Sequence, residues 1–499
     1  MFIAIKNLIY ILILAYFVFF IAKRAVSSIV TGNEFRSWRN TWIGVQSLAF
    51  LSPNSWFFFL SLFLACTFFL SKSPTNRLEY YALLLSSLPF LKTTIPGFGL
   101  VDYFFTLSFP VALSLFLLLP AYLSTMRNSP KEQRFFSFPA DKYIFAFILL
   151  CALLDFRSTT PTNVLRITFM SWVQFFIPYY VFSRNLSTRE QFNKVLLALL
   201  LSLSIAALIG IFETIKGWHI YRELITSLAS GNATDYDIRG GVLRASATFM
   251  SPIVLGYVLT IALGLNFYLS PFVKSRILRH IIFAGLVLGL LATVSRGPWV
   301  GFAFLCLVYI WTGKQMVKRL ALLSLGGILS LPLLSITSFG QKFIAVLPFI
   351  GSIRSDTIDY RDRLFDMSLI VIKRHPLLGS PDYLDTPEIM SMIQGQHIID
   401  IVNSYLQITL SNGLTGLILF VAIFVVLLFQ TYSSYKRLPK EEEDLIRLGR
   451  CLFSILCAIS LIIYTCSSID YVPFYYWMFF GISSAYVYYA RRVRLSFNS

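Results

Sequence analysis

Residues 281–311 read IIFAGLVLGLLATVSRGPWVGFAFLCLVYIW. Two apolar runs with the look of lipid-spanning helix are separated by SRGPW. Gly297-Pro298 breaks a helix and permits a tight reversal, so the stretch reads as an antiparallel helix pair. Trp299 stands where an interfacial anchor belongs. Ser295 and Arg296 then lie at the mouth between the two helices. A turn alone does not require arginine there. An ionised side chain beside hydrocarbon is costly, and ordinarily faces a partner, a cavity or a substrate.

The rest of the chain repeats the pattern. Of 499 residues, 57% are hydrophobic and only 13% charged; a soluble chain carries about a quarter charged residues. The mean hydropathy is +0.71. Apolar runs near the ~20 residues that cross a bilayer as helix recur from end to end. The expected fold is an all-α polytopic membrane protein, a single integral membrane domain over 1–499. Candidate spans lie near 7–22, 41–71 (one long or two short), 78–92, 101–124, 142–156, 164–182, 195–214, 246–270, 281–294, 297–312, 319–337, 413–431, 451–466 and 474–490. That makes about 14 transmembrane helices, within a range of roughly 12–15. A β-barrel would show short alternating segments instead. The first run ends in Lys23-Arg24 rather than at a small-residue cleavage site, so it is not read as a cleavable signal peptide. The cysteines, Cys66, Cys151, Cys306, Cys451, Cys457 and Cys466, all sit in apolar stretches without metal-ligand or disulfide spacing.

The net charge of +18 is not a nucleic-acid footprint, because the basic residues fall in short clusters between spans. The clusters are RNSPKEQR (127–134), KSRILRH (274–280), KQMVKR (314–319), YKRLPKEEEDLIRLGR (435–450) and the tail RRVR (491–494). The positive-inside rule places these loops and the C-terminus in the cytoplasm. The loops 157–165, 215–245, 338–412 and 467–473 and the SRGPW break then face outward. The one long outward loop, 338–412, holds an amphipathic helix, RDRLFDMSLIVIKRHPLLG, with apolar positions Leu364, Phe365, Leu369, Ile370 and Ile372, ended by Pro376 and Gly379. A second helix start precedes IVNSYLQITL and runs into the span at 413.

Outward arginines oppose the orientation rule and need a reason. They are Arg157, Arg166, Arg222, Arg239, Arg244, Arg296, Arg354, Arg361, Arg363 and Arg374. Those in the long loop escape the rule. Arg157, Arg166, Arg239, Arg244 and Arg296 sit at or inside span ends. Each alone could pair with Asp155, Glu213, Asp235, Asp237 or Asp400, or snorkel to the interface. Together they suit a diphosphate on a lipid, since the guanidinium fork matches phosphate oxygens. Asp235-Tyr236-Asp237 forms a D-x-D, a pattern common by chance, and no metal site or cofactor is expected.

Several stretches stand in a telling order: RGGVLRASATFMSPIVLGYVL, then SRGPWVG after a span, then YRDRLFDMSLIVIKRHPLLG, then DIVNSYLQITLSNGLTGL entering the next span. Over roughly residues 150–430 this series resembles the O-antigen ligase/polymerase superfamily of bacterial envelope glycosyltransferases, and within it the exopolysaccharide polymerases. The resemblance implies a GT-C-type architecture with one long extracytoplasmic loop, in the bacterial cytoplasmic membrane. It implies metal-independent transfer of a glycan from undecaprenyl diphosphate to another lipid-linked glycan on the outer face. It also implies a chain-length regulator and a flippase as partners. The family's arginine in the SR-G break is matched by Arg296, and the one ahead of the h-P-L-L-G run by Arg361; both would bind the diphosphate, with Arg239 and Arg244 as second candidates. Ligase-like members carry His-Asn at the start of the helix after the long loop, where this chain has Val402-Asn403.

The reaction this resemblance implies is displacement at the anomeric carbon by a sugar hydroxyl. It needs a base within hydrogen-bond reach and fixed positive charge for the leaving diphosphate. Asp400 is the first choice for the base and His397, with its better intrinsic pKa, the second. Asn403, Tyr405 and Arg166 could bind the sugar or acceptor; Asn403 and Tyr405 could equally serve helix capping and interface packing. Asp470 and Tyr471 are weaker candidates. The alternatives are a ligase moving a finished glycan and a polysaccharide flippase. A flippase would show related halves and broken helices near midplane, which this sequence does not display.

Overall fold

A chain in lipid must satisfy its backbone internally, and here long apolar segments do so as helices. The computed structural model describes residues 2–26, 28–68, 73–99, 102–128, 130, 133–157, 159–228, 237–314, 316, 318, 356–393 and 399–498. In chain order the elements are α1 Phe2–Ala25, α2 Gly32–Leu51, α3 Ser55–Phe68, α4 Pro74–Leu84, β1 Lys92–Pro96, β2 Tyr103–Ser108, α5 Phe109–Asn128, α6 Asp141–Asp155 and α7 161–185. There follow α8 Arg189–Lys216, α9 Arg222–Leu228, β3 Ile238–Arg239, β4 Val242–Leu243, α10 Pro252–Phe272, α11 Arg276–Ala292, α12 Arg296–Trp311, α13 Asp356–Arg374, α14 Ser404–Lys436, α15 Glu443–Ile462 and α16 Val472–Asn498. Among the described residues, six helices are long and apolar enough to cross a membrane: α1, α5, α8, α10, α14 and α15. Helices α3 and α12 are apolar but shorter. The expected span at 319–337 and loop residues 338–355 lie outside the described residues.

Several expectations change. The stretch 41–71 forms two helices, α2 and α3, parted at 52–54 where Pro53 stands. The fold is not purely helical. Lys92–Pro96, expected at and just past the end of the span 78–92, and Tyr103–Ser108, expected to lie in the span 101–124, form an antiparallel hairpin pairing Lys92 with Ser108 and Ile95 with Phe105. Thr93, Thr94, Ile95, Phe104 and Phe105 are the β-branched and aromatic residues that suit a pleat, a preference hidden inside an apolar run. A second small hairpin, β3–β4, reverses at Gly240-Gly241, both with positive φ. The span expected from 246 begins at Pro252.

Alternate loops gather at one end, as their basic residues suggest. There Lys194 bridges Glu34 and Glu190, Arg189 pairs with Glu442 and Asp444, and a fully buried Arg184 pairs with Asp141 at 2.5 Å. The other end draws together residues 217–228 and 237–251, the α11–α12 turn, residues 399–404 and the 463–471 turn. Asn7 Nδ2 donates to Ile220 O, Thr248 Oγ1 to Ser86 O, and the Tyr471 hydroxyl to Leu88 O.

Two hydrophobic cores share helix α14. The larger runs through the bundle and includes Phe420, Ile423 and Leu427. The smaller joins Tyr360, Leu364 and Val371 of α13 to Ile389, Met392, Ile401, Val402, Leu406 and Leu410. Helix α14 breaks between them at Gly413, whose φ of 67° and ψ of −170° are non-helical. Helix α13 is amphipathic as expected, but its inward face differs. Leu364 is buried, whereas Phe365 and Ile370 are exposed, because the face that packs runs Tyr360, Leu364, Ser368, Val371.

Candidate functional site

The α11–α12 reversal is built around a strained residue. Val294 has φ 46°, an outlier for a β-branched side chain. Ending α11 there turns the carbonyls of Thr293 and Val294 outward, and two arginines take them. Arg244 Nε donates to Thr293 O at 3.3 Å, and Arg239 Nη1 to Val294 O at 3.3 Å. Arg244 also donates to Ser295 Oγ at 2.8 Å and pairs with Asp237 at 2.5 Å. Trp299 is not an interfacial anchor. It is buried, and its indole N–H donates to Leu290 O at 3.0 Å, satisfying a carbonyl near the end of α11.

Residues 237–251, which carry Arg239 and Arg244, and the turn at 217–220 are held by a buried carboxylate, expected from the sequence only as a pairing partner. Glu213 accepts from the backbone N–H of Ile220 (3.1 Å), Ser246 (3.0 Å) and Ala247 (2.8 Å), and lies 3.3 Å from His219 Nδ1. Ala245 N donates to Ala292 O, which also accepts from Thr214. The segment is thereby fixed against α11.

Arg361 enters from α13 in the smaller core. Its Nη2 donates to Thr465 O at 3.2 Å, and its Nε is buried with no hydrogen-bond partner among the described residues. Gly297 faces the same turn; a Cβ there would lie 2.5 Å from Thr465 Oγ1, so only glycine admits this approach. Asp400 stands beside Arg361: its Oδ1 accepts from Ser467 Oγ at 2.7 Å, and its carbonyl accepts from the Tyr360 hydroxyl at 3.1 Å.

The electrostatics report convergence. Burial lowers the Arg239 pKa, and the positive charges of Arg296 and Arg361 lower it further, with Asp237 opposing. Burial pushes Arg244 down to about 10 against the pull of Asp237. Burial also lowers Arg361, opposed by Cys466 and Asp400. Arg239, Arg296 and Arg361, from three separate segments, thus share one neighbourhood with Arg244 at its edge. Such a set, with one donor orphaned, is suited to an anion. Ala247, Met250 and Asp470 add further positive-φ positions in the turns of this end, and strain of this kind clusters at functional sites.

Residues 281–421 match the O-antigen ligase family. This match agrees with the resemblance to the O-antigen ligase/polymerase superfamily. No curated protein matches it. The part matching the O-antigen ligase family holds Arg296, Arg361 and Asp400, while Arg239 and Arg244 lie upstream of it.

The remaining candidates fare differently. Asn403 caps α14, its Oδ1 accepting from Tyr405 N at 3.0 Å and Leu406 N at 3.2 Å. The Tyr405 hydroxyl donates to Ser460 O at 2.8 Å. Arg166 is held by the β1–β2 hairpin, donating to Tyr103 O (2.6 Å), Phe104 O (2.9 Å) and Asn163 Oδ1 (2.9 Å) and stacking on the Tyr103 ring. His397 and the first two residues of the D-x-D lie outside the described residues. Ser467, Tyr360 and Thr465 were not singled out in the sequence, because hydroxyl and carbonyl partners carry no pattern there.

Proposed function

We propose that the chain is a polymerase that joins undecaprenyl-diphosphate-linked repeat units into exopolysaccharide or O-antigen. The observation that carries this reading is the meeting of Arg239, Arg296 and Arg361, with the buried Arg361 Nε unpartnered among the described residues. The acceptor hydroxyl attacks the anomeric carbon and gives its proton to Asp400. A new C–O bond forms as the bond to the lipid diphosphate breaks, and that electron pair leaves on the diphosphate oxygen. Fixed guanidiniums stabilise this growing charge without reorganising. Arg244 holds the break that presents Arg296. His397 is a second acceptor for the proton. The chemistry draws on no metal. Asn403, Tyr405 and Arg166 act near the acceptor, the first two through the start of α14 and the last through the hairpin.

In this reading the chain crosses the bacterial cytoplasmic membrane about 14 times as a GT-C-type enzyme. The arginine end faces the exterior and the C-terminus the cytoplasm, since the opposite end gathers the basic loops. A chain-length regulator and a flippase are its expected partners. Val402, standing where ligase-like members carry histidine, favours polymerase over ligase.

The test is Arg296→Ala, and separately Arg361→Ala, in cells lacking the native gene, with lipid-linked glycan sized on a gel and membrane protein level as control. Loss of long polymer with build-up of single repeat units is expected. Long unattached lipid-linked polymer would identify a ligase. Unchanged polymer from both variants would refute the diphosphate cradle and reopen the transporter reading.

A further inference from the structure

The cradle is divided between the two cores. Arg239, Arg244 and Arg296 belong to the bundle, whereas Arg361 and Asp400 belong to the smaller body formed by α13 and the start of α14. These bodies meet at the 463–467 turn, where Arg361 bonds Thr465 O and Ser467 bonds Asp400, and again at the break in α14, which is repaired bond for bond. In an unbroken helix Leu414 N would bond Leu410 O, and Thr415 N would bond Ser411 O. Here Leu414 N donates to Pro376 O at 2.8 Å and Thr415 N to Leu377 O at 3.2 Å. The vacated Leu410 O accepts from Ser380 N at 2.8 Å. The vacated Ser411 O accepts from Arg157 Nη2 at 3.1 Å.

Arg157 does more than fill that position. Its Nη1 donates to both Leu378 O and Gly379 O at 3.0 Å, and its Nε to Leu154 O at the end of α6 at 3.0 Å. One guanidinium therefore ties three pieces together: the bundle helix α6, the 376–380 turn that ends α13, and the broken helix α14. The turn itself carries exposed Leu377 and Leu378, so no side-chain core holds it there. Arg361 stands about 22 Å up the same α13 rod from Pro376, taking 1.5 Å per residue. Arg157 pins the far end of that rod, as Thr465 O holds the near one.

We infer that Arg157 is a positioning residue: it welds the α13 body to the bundle and so sets Arg361 against Arg239 and Arg296. This rests on the proposed diphosphate cradle, and it moves Arg157 from the ligands of the anion to the frame that aims them. Lysine cannot replace it, because an ammonium lacks the planar fork that reaches carbonyls on both sides of the break.

The experiment is a double-mutant cycle on the full chain in vesicles, with lipid-linked glycan extracted from cells lacking the gene as donor and acceptor. Arg157→Gln is expected to slow initial elongation by about tenfold to a hundredfold, the cost of misplacing a catalytic group by an ångström. Arg157→Lys falls in the same direction by a smaller factor, and serves alone if the glutamine variant does not accumulate. The deciding result is the pair: Arg157→Gln added to Arg361→Ala slows the enzyme no further, because the group it positions is already gone. A wild-type rate for the Arg157 variants would overturn the inference. So would losses that multiply in the double variant, the signature of a general structural role. Wild-type rates for both Arg296→Ala and Arg361→Ala would instead remove the cradle itself, and the inference with it.

Discussion

Replacing Gly413 with alanine should destabilise the protein, although position 413 lies inside a long helix. Helix propensity alone gives the opposite sign, because alanine in a helix interior is better than glycine by roughly 1 kcal/mol. The structure reverses this. At φ 67° and ψ −170° the residue sits in a region essentially reserved for glycine, which costs other residues about 1–3 kcal/mol. A Cβ would also collide with the Leu377 carbonyl and come within 2.5 Å of Leu378 N. Relieving that clash pulls the 376–380 turn away and loses the bonds from Leu414 N and Thr415 N, at about 1 kcal/mol each. Gly413→Ala should therefore cost about 3–5 kcal/mol in all. The comparison is Gly44→Ala in the middle of α2, where an added Cβ meets nothing within 4 Å; that change should stabilise by about 0.5–1 kcal/mol. Both can be read from unfolding midpoints of detergent-purified protein followed by tryptophan fluorescence. If the two substitutions shift the midpoint in the same direction by similar amounts, the break at Gly413 is not the locked joint described above.

Three further outcomes are expected. Burial raises the Asp470 carboxyl above its ordinary range, with Lys92 opposing; the fold then holds the proton more tightly than the unfolded chain, so this residue weighs against stability as pH rises through its folded value. Asp470→Asn should accordingly stabilise near about pH 8 and have a vanishing effect near about pH 4, and equal shifts at both would refute the sign. At the opposite end, Asp141 is paired with Arg184 and accepts from the Tyr179 hydroxyl at 2.5 Å, all fully buried or nearly so; Arg184→Met should cost about 3–5 kcal/mol by stranding the carboxylate, with part recovered by adding Asp141→Leu, read as unfolding midpoints. Inorganic pyrophosphate should raise the unfolding midpoint of the wild type, less so at ~0.5 M salt than at ~0.1 M, and should leave Arg239→Gln unmoved; stabilisation of that variant to the wild-type extent would place the anion elsewhere.

How far the chain could be read depended on whether a feature breaks a rule. Arg296 and the other arginines outside the basic clusters stood out because positive charge there opposes the expected orientation; the reversal expected at Gly297-Pro298 falls just before them, at Thr293–Ser295, and those two residues open α12. Asn403 fits the cap rule as well as a sugar-binding role, and the cap is what the structure assigns. The β1–β2 hairpin was hidden because an apolar run such as 101–124 satisfies strand and helix alike. The face of α13 was misjudged because Leu364, Phe365 and Ile370 are equally apolar, and only the partner decides which turn inward. The break at Gly413 did leave a trace: Ser411-Asn412-Gly413 is a turn signal inside a helical run. Its meaning lay in Arg157, more than 250 residues away in sequence, where no local pattern reaches.

A cradle of like charges explains why the site straddles two bodies. Arg296 and Arg361 repel Arg239, and burial lowers the pKa of Arg239 and of Arg361, so a single well-packed core gains nothing by enclosing the set. Dividing them between the bundle and the α13 body lets each part fold around fewer buried cations. The cost of bringing the parts together is then met by bonds at the α14 joint and by those of Arg361 to Thr465 O and Ser467 to Asp400. Strain follows the same division: Val294 lies on the bundle side and Asp470 in the turn that faces the α13 body. In the proposed cradle the arginines are set in place before any anion arrives, which is the condition under which fixed charge favours a transition state over its ground state.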